Sequence, residues 1–180
     1  MGGPASPTLL YHRLGGLVLL VHGPSTPAAA EWTRYVLALE AIGKEQPQVT
    51  LLVVAEDTGP SSAQREELAR HAPKGIRTSV VTTSTIARSI VTLIGWIDAG
   101  IRAYAPAQID EAFKHLAVPP DRRPAVLRQV AAMRAQLSGV GVCSDEAASA
   151  LLDATSIEPM YAIVQRLSAL RSELVSRRRA

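Results

Sequence analysis

Residues 49–70 read VTLLVVAEDTGPSSAQREELAR. Val49–Ala55 is a near-continuous apolar run, the pattern of a strand covered on both faces at the centre of a sheet. It breaks at Glu56-Asp57, Gly59-Pro60 and Ser61-Ser62, and a helix follows from Ser62 to about Arg70. A buried strand that turns directly into a helix is half of a β–α–β unit. The same texture recurs downstream. RTSVVTTS, residues 77–84, is a second central strand, followed by a helix from about Ser84 to Ile97. IRAYA, residues 101–105, is a shorter strand that leads into APAQIDEAFKHL, a helix with Pro106 near its first turn. Strands alternating with single helices imply right-handed crossovers and parallel neighbours.

Upstream, TLLYHRLGGLVLLVHG holds two short β-like runs, Leu9–Arg13 and Leu17–His22, split by Gly15-Gly16. Gly-Gly supplies the positive φ of a tight hairpin, so one antiparallel edge strand is expected. Thr26 and Pro27 read as the cap and first position of the next helix. Trp32, Tyr35, Val36, Leu39 and Ile42 give that helix one apolar face, and Gly43 and Pro47 are its expected stop. The element order is β-β-α-β-α-β-α-β-α, an α/β domain over residues 1–118.

After the breaker-rich AVPPDRRP at 117–124 the texture changes. Residues 119–180 hold no strand candidate and read as a helical C-terminal extension of two to three helices. Val126, Val130, Met133 and Leu137 form one stripe; Ile163, Leu167, Leu170 and Leu174 form another. Both are too short to establish a coiled coil. The stripes either pack on the domain's own apolar helix or build a dimer or grip another protein, and Ile163, Leu167, Leu170 and Leu174 are the assembly candidates. The apolar helix around Ile90, Val91, Leu93 and Ile94 needs cover on a second side as well. The C-terminal helices, a second copy of the chain, or an apolar ligand would each supply it.

The chain has 180 residues, 47% hydrophobic and 19% charged, enough to bury a core. The formal charge of +3 falls entirely in residues 119–180, which end in Arg177–Arg179. With aromatic residues at 4% and no stacking motif, a nucleic-acid partner is not expected. The single Cys143 excludes an internal disulfide and a cysteine-cluster zinc site. No apolar run reaches the length of a membrane span, and MGGPASPTLLYHR lacks the basic start of a secretory signal. A cytoplasmic location is expected. His12 and His22 are the one histidine pair that could meet, across the hairpin; no metal and no other cofactor is expected. No nucleophile-elbow, zincin or dinucleotide motif is present, and no catalytic residue is assigned.

Two turns carry the candidate site. At the first, Ser61 or Ser62 either caps the helix, with Glu66 or Glu67 near the capping-box position, or acts with Asp57 and Arg65 as a phosphoacceptor or partner contact. At the second, Thr82, Thr83, Ser84 and Thr85 end a strand. Arg88 stands one turn into the next helix, so the group either caps that helix or holds an anion. Both turns are expected at the same end of the sheet, where open α/β sheets bind ligands.

Several pieces of this sequence resemble a known family. They are the W-x-x-Y of Trp32 and Tyr35, the P-x-x-x-Q-R of Pro60–Arg65, the VTTS…R…V of Val81–Val91, and the W…IRAY-x-P…A…L of Trp96–Leu116. Over about residues 8–118 the chain resembles the STAS-like (SpoIIAA-like, STAS/SEC14) domains of bacteria, myxobacterial type. That resemblance implies a mixed sheet of four to five strands with helices mainly on one face. It implies a non-enzymatic regulatory or adaptor protein that binds a protein partner, with homo-oligomerisation and binding of a small apolar or anionic, lipid-like ligand as alternatives. In the anti-sigma-factor antagonists of this family a serine at the start of the helix is phosphorylated. Here Asp57, Gly59, Ser61 and Ser62 depart from that family's D-S-S-G turn.

Overall fold

The computed structural model describes residues 7–46, 48–55, 59–85, 87, 88, 91 and 100–138. Five strands form one sheet: β1 Leu9–Leu14, β2 Leu17–His22, β3 Thr50–Ala55, β4 Arg77–Thr82 and β5 Ile101–Tyr104. They lie side by side in chain order. β1 and β2 are antiparallel, and every later neighbour is parallel. The protein is thus α/β with a mixed sheet, and β1 is its antiparallel edge. Gly15 makes the hairpin possible, with φ of 64° at the first position of the two-residue loop.

The described helices are α1 Ala29–Glu45, α2 Ser62–His71, α3 Ile109–His115 and α4 Arg123–Leu137. The apolar face expected for α1 is buried at all five positions. Its ends differ from expectation. Thr26 and Pro27 precede the helix; Ala28 is the N-cap, and no side chain caps it. Thr8 anchors this end instead, accepting from the Ala28 N–H at 2.8 Å and bonding the Glu31 carboxylate. Gly43 does not stop the helix but lies inside it. A Cβ there would stand 2.2 Å from Pro73 Cγ, so the glycine admits the Pro73 turn against α1.

Helices cover both faces of the sheet, not mainly one. β2, β3 and β4 follow each other in one direction, so two right-handed crossovers place α1 and α2 on the same side. There Trp32, Tyr35, Val36, Leu39 and Ile42 pack on Leu9, Val18, Leu20 and Leu51. Side chains alternate along a strand. Leu17, Leu19, Val21, Leu52, Val54 and Val81 therefore point the other way, and α3 and α4 bury them. The stripe Val126, Val130, Met133 and Leu137 is spent on this second core. The first helix beyond residue 118 is thus part of the sheet's own packing. Of the helix expected over Ser84–Ile97, only Ser84, Thr85, Ala87, Arg88 and Val91 are described. Asp57 and the stripe Ile163, Leu167, Leu170, Leu174 lie outside the described residues.

The hairpin register separates the two histidines. His12 stands opposite Leu19 and His22 opposite Leu9, so they lie three positions apart on opposite faces. Among the described residues no cluster of metal-ligating side chains forms, and no helix is long and apolar enough to cross a membrane.

Candidate functional site

Ala55 and Thr82 are register partners at the carboxyl ends of β3 and β4. The two hydroxyl-rich turns therefore leave the sheet at the same end, as neighbours. Each is built by the helix that follows it. Ser61 is the N-cap of α2: its Oγ accepts from the Gln64 N–H at 3.3 Å, and Gln64 Oε1 accepts from the Ser61 N–H at 2.8 Å. The capping-box partner is thus Gln64, not Glu66 or Glu67. In the second turn Thr82 Oγ1 accepts from the Ser84 N–H at 3.2 Å, and Ser84 Oγ accepts from the Ala87 N–H at 3.2 Å.

Two arginines repeat one posture. Arg65 folds back to give Nη1 to the Pro60 carbonyl at 2.8 Å and Nη2 to Ser62 Oγ at 3.0 Å. Arg88 gives Nη1 to the Thr82 and Thr83 carbonyls at 2.8 and 3.1 Å and Nη2 to Thr85 Oγ1 at 3.1 Å. In each case a guanidinium five or six residues on clamps the carbonyls of the turn and a hydroxyl three residues before it. Charge-assisted bonds of this kind hold a loop more firmly than neutral ones. Ser61, Ser62, Thr83 and Thr85 remain exposed at the surface, whereas Thr82 is buried.

Below this rim lies a buried polar layer that the sequence reading missed. Gln64 is 8% exposed; its Nε2 donates to the Pro27 carbonyl at 2.8 Å, and its own carbonyl accepts from Trp32 Nε1 at 3.0 Å. One glutamine thereby ties the start of α1 to the start of α2. Its signal was present, a Gln three residues after a Ser, but two glutamates nearby drew the capping-box reading. His22 follows Val21, the register partner of Val54, and so ends β2 in the same row as Ala55 and Thr82. It is 4% exposed, its ring lies 6.1 Å from Trp32, and among the described residues Nδ1 has no hydrogen-bond partner. Burial pushes its pKa down to about 4, so the imidazole is neutral. Tyr35, 5.4 Å from Trp32, has its hydroxyl buried with no partner among the described residues as well.

Ser79 and His115 form the one Ser–His hydrogen bond among the described residues, at 2.9 Å. Ser79 is fully buried beneath α3 and also bonds the Ala112 carbonyl at 3.2 Å. The two residues are 36 positions apart, and nothing local links them. Compared with protein-family models and with curated proteins, the chain finds no match.

Proposed function

We propose that the chain is a non-enzymatic, cytoplasmic binding module of regulatory or adaptor type. Its STAS-like α/β domain recognises a protein partner with the rim of Ser61, Ser62, Thr83 and Thr85. The observation that carries this reading is the paired arginine clamp. Arg65 and Arg88 hold two neighbouring turns and bond the hydroxyls of Ser62 and Thr85 directly, with Ser61 and Thr83 exposed on the same clamped turns. Preorganised polar groups lose little freedom on binding. A nucleophile would instead need a base at its hydroxyl. Here the hydroxyls of Ser62 and Thr85 accept from guanidinium groups, which supports recognition over turnover. A phosphate on Ser62 would meet Arg65 at once, so modification there would alter the rim. The helical extension, with Ile163, Leu167, Leu170 and Leu174, aids assembly with the partner or with a second copy.

The test uses the full chain as bait in lysate of the source cell, in three forms: wild type, Ser62→Arg with Thr83→Arg, and a control, Arg128→Glu, on the exposed side of α4. Proteins recovered with wild type and control but lost with the rim variant support the reading. Equal recovery with all three, or no enrichment, sinks it.

A groove favours small-ligand binding as the second reading. It measures about 380 Å³ and lies at the amino ends of β2 and β3, lined by Leu14, Leu17, Leu116, Val118, Pro119 and Val126 with Arg122 beside them. Pockets of this size and apolar character take small ligands. The groove is at the far end of the sheet from Thr82–Arg88, where an anion site was expected and where Arg88 is engaged with the turn's own carbonyls. Copurification of an apolar compound that protects Val118→Trp less than wild type from thermal unfolding would favour it.

A further inference from the structure

A basic cluster lies near the amino ends of β4 and β5, on the face covered by α3. Arg77 opens β4, and Arg102 is the register partner of Ser79. Side chains two apart on a strand share a face, so Arg77 and Arg102 both project on the side of Ser79, beside His115. Both are exposed, and His115 is half-buried between them and Tyr104, whose ring is 6.3 Å away. Among the described residues no carboxylate pairs with either arginine. Lys114 adds a further exposed cation, already shared with Glu111 at 2.8 Å. Burial, then Arg102 and Arg77, hold the His115 pKa below its ordinary value, so the ring is neutral.

The tautomer follows from hydrogen counting. Ser79 Oγ touches the Ala112 carbonyl, which only accepts, and His115 Nδ1. The single hydroxyl hydrogen goes to the carbonyl, so Nδ1–H donates to Ser79 and the lone pair resides on Nε2. A fixed proton acceptor therefore stands in the field of two guanidinium groups. The carbonyls ending α3 would repel an anion, but Arg77 Nη1 already covers that of His115, at 3.3 Å.

We propose that Arg77, Arg102 and His115 form a binding site for a phosphomonoester oxyanion. The guanidinium forks match its oxygens, and Nε2 takes its remaining acidic proton. This site is separate from the Ser61–Arg88 rim and stands whether or not the rim binds a protein.

The test is NMR of the His115 ring in the full-length chain, titrated with inorganic phosphate at constant ionic strength. A saturable shift, with the His115 pKa moving upward as the anion binds, is the expected result. Arg102→Ala, an exposed position, should raise the His115 pKa before phosphate is added, since a repelling cation is gone. It should also weaken phosphate binding by ~10-fold or more, with Arg102→Lys intermediate. A phosphoserine peptide that binds more tightly than phosphate assigns the anion to a modified protein, and equal affinity to a small metabolite; both support the site. The proposal is overturned if no saturable shift appears, if chloride produces the same shift, or if Arg102→Ala binds phosphate as wild type does.

Discussion

The indole N–H of Trp32 donates to the main-chain carbonyl of Gln64 at 3.0 Å, joining the first turns of two helices that lie 32 residues apart. The Gln64 side chain reaches back to Pro27 over nearly the same gap. These bonds set the spacing between the β2–α1 and β3–α2 turns, the second of which carries Ser61 and Ser62.

Replacing Trp32 by Phe should therefore cost more than the lost ring volume alone, because the buried hydrogen bond from the indole to the Gln64 carbonyl goes with it. About 2–3 kcal/mol is expected. Ser61→Ala, which removes only the cap hydroxyl, should cost about 1 kcal/mol, and Gln64→Ala about 2 kcal/mol because it also strands the Pro27 carbonyl. Urea denaturation should return that order. Equal costs for Ser61→Ala and Gln64→Ala would mean that the tie to Pro27 contributes nothing.

His22 makes stability depend on mildly acidic pH. Its folded pKa is about 4 against 6.5 for a free imidazole. Above pH 6.5 neither state is charged, and its contribution is fully present. Below that, the unfolded chain takes up a proton that the folded one refuses, so stability falls until the pH nears 4. The loss is about 2 kcal/mol at pH 5. His115 is lowered too and acts in the same direction. His22→Phe should keep its stability at pH 7, since it also removes the unpaired Nδ1. Between pH 7 and 5 it should lose clearly less than wild type. Parallel slopes for the two proteins would contradict a buried neutral His22.

Gly43→Ala sets two effects against each other. Alanine favours the helix by about 1 kcal/mol. The new methyl would meet the Pro73 ring at 2.2 and 2.7 Å, and a proline ring cannot swing aside. Overpacking costs about 1–3 kcal/mol, so a net loss is expected in thermal denaturation. Gly43→Ala combined with Pro73→Ala should recover most of it.

Ending the chain at residue 118 should unfold the α/β domain, and ending it at 138 should not. α4 buries Val126, Val130, Met133 and Leu137 against the sheet. At about 1.5–3 kcal/mol each their loss is comparable to the whole stability of a domain. Circular dichroism and analytical size exclusion of the two truncations would decide it. A cooperative thermal transition for residues 1–118 would count against α4 as a core element.

Local pattern was enough for most of the elements. Continuous apolar runs read as central strands, Gly15-Gly16 as a hairpin, and the 3–4 spacing of Trp32 through Ile42 as a helix, because each depends on neighbours within a few residues. The placing of both turns at one end of the sheet followed from parallel order alone. One miss was local: Gln64, three residues after Ser61, completes the capping box that two nearby glutamates obscured. In the other misses the deciding partner was distant in sequence. Thr8 and Glu31 anchor α1 in place of Thr26. Pro73 turns Gly43 from a stop into a contact. The facing core assigns the α4 stripe to the sheet.

The sequence by itself determined the alternation of strands and helices, the antiparallel edge and the pair of hydroxyl-rich turns, since periodicity and turn chemistry are local. Only the tertiary structure decided which face each helix covers, that Gln64 ties α1 to α2, and that Arg77 and Arg102 gather beside His115. Those outcomes rest on burial and hydrogen bonds between residues some thirty or more positions apart, which no short window of sequence contains.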